Sequence, residues 1–378
     1  MAIYLIITGV ILIYYLILSL YNRRKEFNLK FFFVAGSFLF LFLISSIRSD
    51  QVGADMEIYL NIFDEVKEHS LISIITDAFS FDHFGSTSIY NGNYEVGYII
   101  FNKVVSTLSM THFSFKLFSS AFILFPIAIF IYKSSNNVLI STLLFVLLGY
   151  YSSSYVILRQ FMALSILSIS LLYLNKDKTK FFVLVFIAFL FHKSSLVFLI
   201  VYLLQHFWPE IYKYRKGIII VLIIGLVSSR PLILWLIEHF YPFYENKIVF
   251  GEGINLSIVY IVLLLITLVL NYRRINMFKS FQVSFVLFLV GLIIQLFTFQ
   301  FSLLSRVALY FQFFNIVFIP NYLDSDKKTL NQLLIIFGAL FFFLAAVCPN
   351  NTGEIDHYEV DNNISLYREK LLQKNDTI

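Results

Sequence analysis

Apolar segments of the length of a membrane crossing recur from one end of this chain to the other. They run Ala2 to Tyr21, Phe31 to Ile47, Leu117 to Tyr132, Val138 to Tyr151, Tyr155 to Leu174, Phe181 to Leu204, Ile218 to Ile237, Ile254 to Leu270, Phe281 to Phe301, Leu304 to Tyr322 and Leu330 to Cys348. A hydrocarbon core about 30 Å thick takes about 20 helical residues. Lipid offers no hydrogen bonds to a free backbone, so each run is predicted to be helical; the short alternation of a transmembrane barrel is not the pattern here. Hydrophobic residues make up 59% of the 378 and charged residues 13%, too few charges for a soluble surface. The expected fold class is an all-α, polytopic integral membrane protein with about 11–12 transmembrane segments. One membrane domain covers residues 1–348, and 349–378 form a polar acidic tail.

Charge in the loops sets the orientation. No basic residue precedes the first run and Arg23-Arg24-Lys25 follow it, the pattern of an uncleaved first span with its N-terminus outside. Lys133, Lys176 to Lys180, Lys213 to Lys216, Arg273-Arg274 and Lys327-Lys328 then belong on the cytoplasmic side. All of them fit if the chain turns back at His192-Lys193-Ser194-Ser195, making two short limbs, Phe181 to Phe191 and Leu196 to Phe207. Both termini are then extracytoplasmic.

The long polar interval is Ser45 to Met110. Between Arg48 and His112 stand nine Asp or Glu, at 50, 55, 57, 64, 65, 68, 77, 82 and 95, against Arg48, Lys67 and Lys103. A cytoplasmic loop favours the opposite sign, so 48–112 is predicted to be an outward-facing cap. Apolar spacing within it predicts amphipathic helices over Met56 to Ala78 and Tyr98 to Leu108, lying on the membrane surface.

This topology brings Arg48, Arg159, His192, Arg306, Asp55 and Glu95 to the outer level of the membrane. Each has a plainer reading. Arg48 at a helix end snorkels to headgroups, Glu95 and Asp55 solvate a loop, His192 is a satisfied turn residue, and Arg230 before Pro231 marks a helix break nearer mid-membrane. Arg159, beside Gln160 in an apolar run, resists such a reading, because a charge at the membrane centre costs about 2.5–3.5 kcal/mol even on lenient scales. Arginine forks bind phosphate bidentately, and a carboxylate or histidine takes a proton from an attacking hydroxyl. Glycosyl transfer from a polyprenyl-pyrophosphate carrier uses such a set and calls for no cofactor and no metal. The lone Cys348 excludes an internal disulfide, no Cys/His spacing resembles a zinc site, and no basic patch follows nucleic-acid phosphates.

The order Arg48-x4-Gly53-x-Asp55-x3-Tyr59, Tyr94-Glu95-x-Gly97-Tyr98, Leu158-Arg159-Gln160-x2-Ala163, Phe191-His192-x-Ser194 and Arg306-x3-Tyr310 resembles the EpsG/Wzy-type family of bacterial polysaccharide repeat-unit polymerases. The resemblance covers nearly the whole chain up to the tail. It implies an architecture akin to GT-C membrane glycosyltransferases, at the outer face of the bacterial cytoplasmic (inner) membrane. A growing glycan moves from undecaprenyl pyrophosphate to the sugar of an incoming lipid-linked repeat unit. Donor, acceptor and the bilayer are the implied partners, with a flippase and a chain-length regulator as neighbours. By position, Glu95, His192 and Asp55 are the catalytic candidates, Arg48, Arg159 and Arg306 the pyrophosphate ligands, and Gln160, Tyr98 and Tyr310 further substrate contacts. Lys193 and the long interval from Tyr59 to Glu95 depart from the family pattern. An O-antigen-ligase-like transferase, a lipid-linked oligosaccharide flippase or other transporter, and a structural subunit of an export assembly are the alternatives. A transporter calls for midplane polar residues and internal repeats.

Overall fold

Helix Ala2–Asn22 (α1) contains no charged residue, and Leu29–Ile47 (α2) has only Lys30, in its first turn. Asn28 starts α2, its side chain accepting from the Phe31 amide at 3.0 Å, and the chain leaves the helix at an extended Arg48. One face of α1, with Ile6, Ile13, Leu16, Ile17 and Leu20, is exposed, which suits a surface that meets lipid. The computed structural model describes residues 2–22, 27–78, 86–89, 92–218, 283–298 and 304–321, with isolated helical positions in 220–235 and 335–340. The expected crossing 254–270, most of 218–237 and 330–348, Arg230, Cys348, the tail and the basic residues at 23–25, 273–279 and 327–328 lie outside the described residues.

Among the described residues four helices are long and apolar enough to cross a membrane: α1, α2, His112–Ser134 and Lys193–Lys213. A fifth crossing is made if Val138–Leu147 and Tyr150–Val156 count as one bent span, and Val96–Leu108, Leu158–Leu171 and Phe285–Phe297 are shorter apolar helices. The chain is an all-α polytopic membrane protein. It divides into two units, the described residues of Met1–Lys133 and Phe145–Lys193 in the first and those of Ser134–Leu144 and Ser194–Phe342 in the second.

In the first unit the polar interval folds as α3 (Met56–Glu68), α4 (Leu71–Ala78), an antiparallel ribbon β1–β2 (Ser86–Ile89, Gly92–Glu95) and α5 (Val96–Leu108). The expected amphipathic segments are therefore helices. Met56, Tyr59, Ile62, Phe63 and Val66 recur every three or four residues on α3 and are buried, while Glu57 and Ile58 are exposed. The ribbon was not expected. Its signal was Asn91-Gly92 between short Ser/Thr/Tyr-bearing stretches, a hairpin dipeptide. Ser86 pairs with Glu95, so the strand delivers Glu95 to the start of α5.

Beyond α6 (His112–Ser134) come α7 (Val138–Leu147), α8 (Tyr150–Val156) and α9 (Leu158–Leu171). The expected runs 138–151 and 155–174 are thus divided elsewhere. Gly149 at φ 78° ends α7, since a left-handed residue carries no cost without a Cβ. Ser152 and Ser154 then donate to the carbonyls of Gly149 and Tyr151 at 3.0 and 2.6 Å, local bonds that compete with a straight helix. Tyr151 donates to the Leu41 carbonyl at 2.7 Å and Phe38 stacks on Phe145, tying this bend to α2. In α10 (Lys178–Phe191), Asp177 caps the start and the helix ends at an extended His192, so the break expected there is present. A 3-10 stretch, Lys193–Leu199, and α11 (Ile200–Lys213) follow.

The second unit holds α12 (Val283–Phe297), α13 (Leu304–Gln312) and α14 (Asn315–Asn321). The run 304–322, read as one helix, is two. Its ladder tightens where the Phe314 amide reaches only to the Phe311 carbonyl. Gln312 Nε2 donates to Gln295 Oε1 at 2.8 Å, Phe288 stacks on Phe318, and Asn321 donates to the Ser134 carbonyl at 2.8 Å.

One junction joins the cap to the spans. Lys116 of α6, fully buried, places Nζ 2.7 Å from Asp50 Oδ1 and 2.6 Å from the Arg48 carbonyl. Removing one partner of a buried pair costs about 3–5 kcal/mol, less where, as here, the carboxylate keeps some water. Lys116→Ala is therefore expected to destabilise the detergent-solubilised protein by about 1–2 kcal/mol in thermal melts. Lys180→Ala, which removes an exposed pair with Asp177, should leave the melt like that of wild type.

Candidate functional site

Glu95 is the last residue of β2 and the N-cap of α5, yet its carboxylate does not cap that helix. It turns instead to two residues distant in sequence. Arg159 donates Nη1 to Glu95 Oε2, and His192 Nδ1 lies 3.0 Å from Glu95 Oε1, which also accepts from the Lys193 amide at 3.2 Å. Arg159 occupies the first turn of α9, directly after the break at Ile157, and not a position within a continuous run from Tyr155. His192 is the C-cap of α10. The site therefore assembles from one helix start, one helix end and one strand end.

Gly97 permits this approach. A Cβ there would stand 2.7 Å from the Leu190 carbonyl oxygen and 2.9 Å from its carbon. Only glycine lets α5 come this near the end of α10, two residues from Glu95 on one side and two from His192 on the other.

The electrostatics follow from the same contacts. Burial opposes ionisation of Glu95, but the His192 hydrogen bond and the Arg159 charge outweigh it and hold the carboxyl down at about 2. The Arg159 guanidinium lies over the Tyr94 ring at 5.0 Å and near the Tyr98 ring at 6.0 Å, and such faces attract cations. Tyr98 in turn packs edge-on to Tyr59, whose hydroxyl donates to the Val156 carbonyl at 3.1 Å. The side chains of Arg159 and His192 keep 24% and 20% of their surface exposed, so the cluster has an open side. His192 Nε2 makes no hydrogen bond among the described residues.

Of the residues picked from sequence, Glu95, Arg159, His192 and Tyr98 are in this cluster. Gln160, next to Arg159, is buried. Asp55 is half-buried, precedes α3, and makes no side-chain cap there. Arg48 lies elsewhere in the unit and is fully enclosed: it donates to the Ser45 carbonyl, lies 3.2 Å from Ser45 Oγ and 3.3 Å from Ser120 Oγ, and faces the Tyr155 ring at 4.8 Å. In the second unit, Arg306 is exposed on α13, and Tyr310, one turn on, is buried with its hydroxyl 3.2 Å from Ser194 Oγ.

Sequence reasoning gave no role to Tyr94, nor to a second charged group built by Asp50, Asp64, His112 and Lys116. His112 Nδ1 is 3.0 Å from Asp50 Oδ2 and its Nε2 is 2.9 Å from Asp64 Oδ2. The available signal was the spacing of His112 and Lys116, one helical turn apart at the entry to an apolar run.

Linkage gives the ion cluster a pH signature. A carboxyl whose folded pKa is depressed, here from 4.5 to about 2, contributes stability that is complete above its unfolded value and is lost as pH falls toward the folded one. Glu95→Gln should therefore melt below wild type at pH 7, with the gap closing as pH falls from about 4.5 toward about 2. A gap independent of pH over that window contradicts the ion cluster.

The sequence pattern defining the EpsG family matches residues 31–359, most of the chain. No curated protein and no solved structure matches the chain.

Proposed function

Since the chain belongs to the EpsG family, we propose that it is a polysaccharide repeat-unit polymerase working at the outer face of the bacterial cytoplasmic membrane, with the cap and both termini extracytoplasmic. A growing glycan on undecaprenyl pyrophosphate is the donor, and the sugar of a lipid-linked repeat unit is the acceptor. The acceptor hydroxyl oxygen attacks the anomeric carbon, the bond from that carbon to the pyrophosphate oxygen breaks, and undecaprenyl pyrophosphate leaves. A flippase supplies the acceptor, and a chain-length regulator is a neighbour.

The observation that carries this reading is the Arg159–Glu95–His192 cluster. A carboxyl held at about 2 is a weak base, so Glu95 acts here by fixing the His192 tautomer. With Nδ1–H donated to Glu95, Nε2 presents a lone pair that accepts the attacking hydroxyl's proton. Arg159, beyond the nitrogen it gives to Glu95, offers charge to the departing pyrophosphate. Arg306 and, one turn along its helix, Tyr310 are candidate substrate contacts carried by the second unit. Arg48, enclosed by Ser45, Ser120 and Tyr155, holds the end of α2 under the cap. Asp55, Gln160 and Tyr98 shape the surroundings of the cluster.

The test is the electrophoretic profile of surface glycan from cells lacking the gene, complemented at matched membrane abundance. Deletion should collapse a ladder to a single repeat, with wild type restoring it and Arg159→Ala or His192→Ala failing to. Loss of all surface glycan, single repeat included, would instead indicate export, and an unchanged ladder would remove the polymerase reading.

A further inference from the structure

The cap carries a cleft of about 560 Å³ that is separate in its lining from the Glu95 cluster. Its walls are the turn after α2 (Asp50, Gln51, Gly53, Ala54), the first two turns of α3 (Glu57, Leu60, Asn61) and His112 at the start of α6. This volume lies within the range of small-ligand sites, about 300–1,000 Å³. Gly53, at φ 109°, and Ala54 leave one side without bulk. Among the described residues no group of His, Cys, Asp or Glu is arranged to hold a metal ion.

The chemistry of the lining narrows the ligand. His112 stands within hydrogen-bond distance of a carboxylate at both ring nitrogens, an arrangement that both nitrogens satisfy only by donating, as the imidazolium. Lys116 neutralises Asp50 from below at 2.7 Å, and Lys67 reaches Asp64 at 2.5 Å. Asp50 and Asp64 are thus compensated by His112, Lys116 and Lys67, and they are locked in place. The cleft is a rigid polar surface with little net charge, not an acidic patch. Toward its opening stand Gln51 and Glu57, both exposed and, among the described residues, with side chains that make no hydrogen bond. A phosphate finds no available guanidinium here, an acidic sugar is repelled by Glu57, and an apolar ligand finds mainly Leu60. The remaining lone pairs of the fixed Asp50 carboxylate, with the side-chain amide of Gln51 and the carboxylate of Glu57, match the hydroxyls of an uncharged sugar.

We propose that this cap cleft binds uncharged, hydroxyl-bearing sugar residues of a glycan chain. The inference rests on the polymerase reading for its biological sense, since an enzyme that extends one chain repeatedly gains from gripping sugars away from the reacting bond. Binding itself is measurable without that activity.

The experiment is saturation-transfer NMR on the full-length protein in lipid nanodiscs. The probes are neutral oligosaccharide fragments released from the surface glycan of the same cells, with glucuronic acid and inorganic pyrophosphate as comparisons. Wild type should transfer saturation to the neutral fragments. Ala54→Phe, which fills the cleft, and Gln51→Ala/Glu57→Ala, which strips its rim, should weaken binding about five- to tenfold, the loss of one or two hydrogen bonds, with thermal melts like wild type. Equal binding by wild type and both variants overturns the cleft as a site. Tighter binding of glucuronic acid or pyrophosphate there overturns the ligand class. In cells, Ala54→Phe should shorten the ladder without collapsing it. A full-length ladder with Ala54→Phe, beside a lost one with Arg159→Ala, removes the cleft and leaves the polymerase standing. A ladder that persists with Arg159→Ala removes the role given to Arg159, an unchanged ladder on deletion of the gene removes the polymerase, and in either case the nanodisc binding still decides the cleft.

Discussion

A buried carboxylate is stable only if its charge is answered, and the first unit answers that of Glu95. Three separate chain features deliver the answering groups: the break before Leu158 that exposes Arg159 at a helix start, the end of α10 at His192, and the β1–β2 ribbon that carries Glu95 to α5. Gly97 removes the one Cβ that would hold these elements apart. Water-poor surroundings strengthen such pairing and make an unanswered charge costly. The same arrangement leaves a partly exposed histidine with Nδ1 engaged and no hydrogen bond at Nε2 among the described residues, which is the state a proton acceptor requires.

The cap follows a similar logic at its other end. His112, Lys116 and Lys67 distribute positive charge under Asp50 and Asp64, so a segment rich in acidic residues is still seated on α6 by ion pairs. Arg48 contributes by closing the end of α2 against Ser120 and Tyr155. Polar residues at the top of these helices thus divide between those that hold the cap and those that face the open cluster.

Much of this was legible in the sequence because membrane burial leaves coarse marks. Runs of about 20 apolar residues declare helices, and α1, α2 and α6 fall where those runs lie. The spacing of Met56, Tyr59, Ile62 and Phe63 declared α3. The cluster was legible because a charge such as Arg159 among Leu and Phe needs a reason. What stayed hidden depends on local backbone chemistry inside apolar text. Gly149 and the back-bonded serines split 138–174 where hydropathy is unbroken, and the tightening at Phe314 divides 304–322. The surroundings of Arg48 were hidden too: its place at a helix end is legible, but Ser45, Ser120 and Tyr155, which enclose it, come from separate parts of the chain. Proximity of that kind is a property of packing and has no local signature.

The central claim is that His192, oriented by Glu95 and beside Arg159, extends a lipid-linked glycan. Its most direct test is reconstitution of the purified protein in proteoliposomes with a single lipid-linked repeat unit as the only glycan, followed by electrophoresis of the products. The account predicts a ladder of two and more repeats from wild type, formed about 10²–10⁴-fold more slowly by His192→Ala, the usual worth of a positioned proton acceptor. A ladder formed equally fast by His192→Ala, or no ladder from folded wild-type protein, would contradict it.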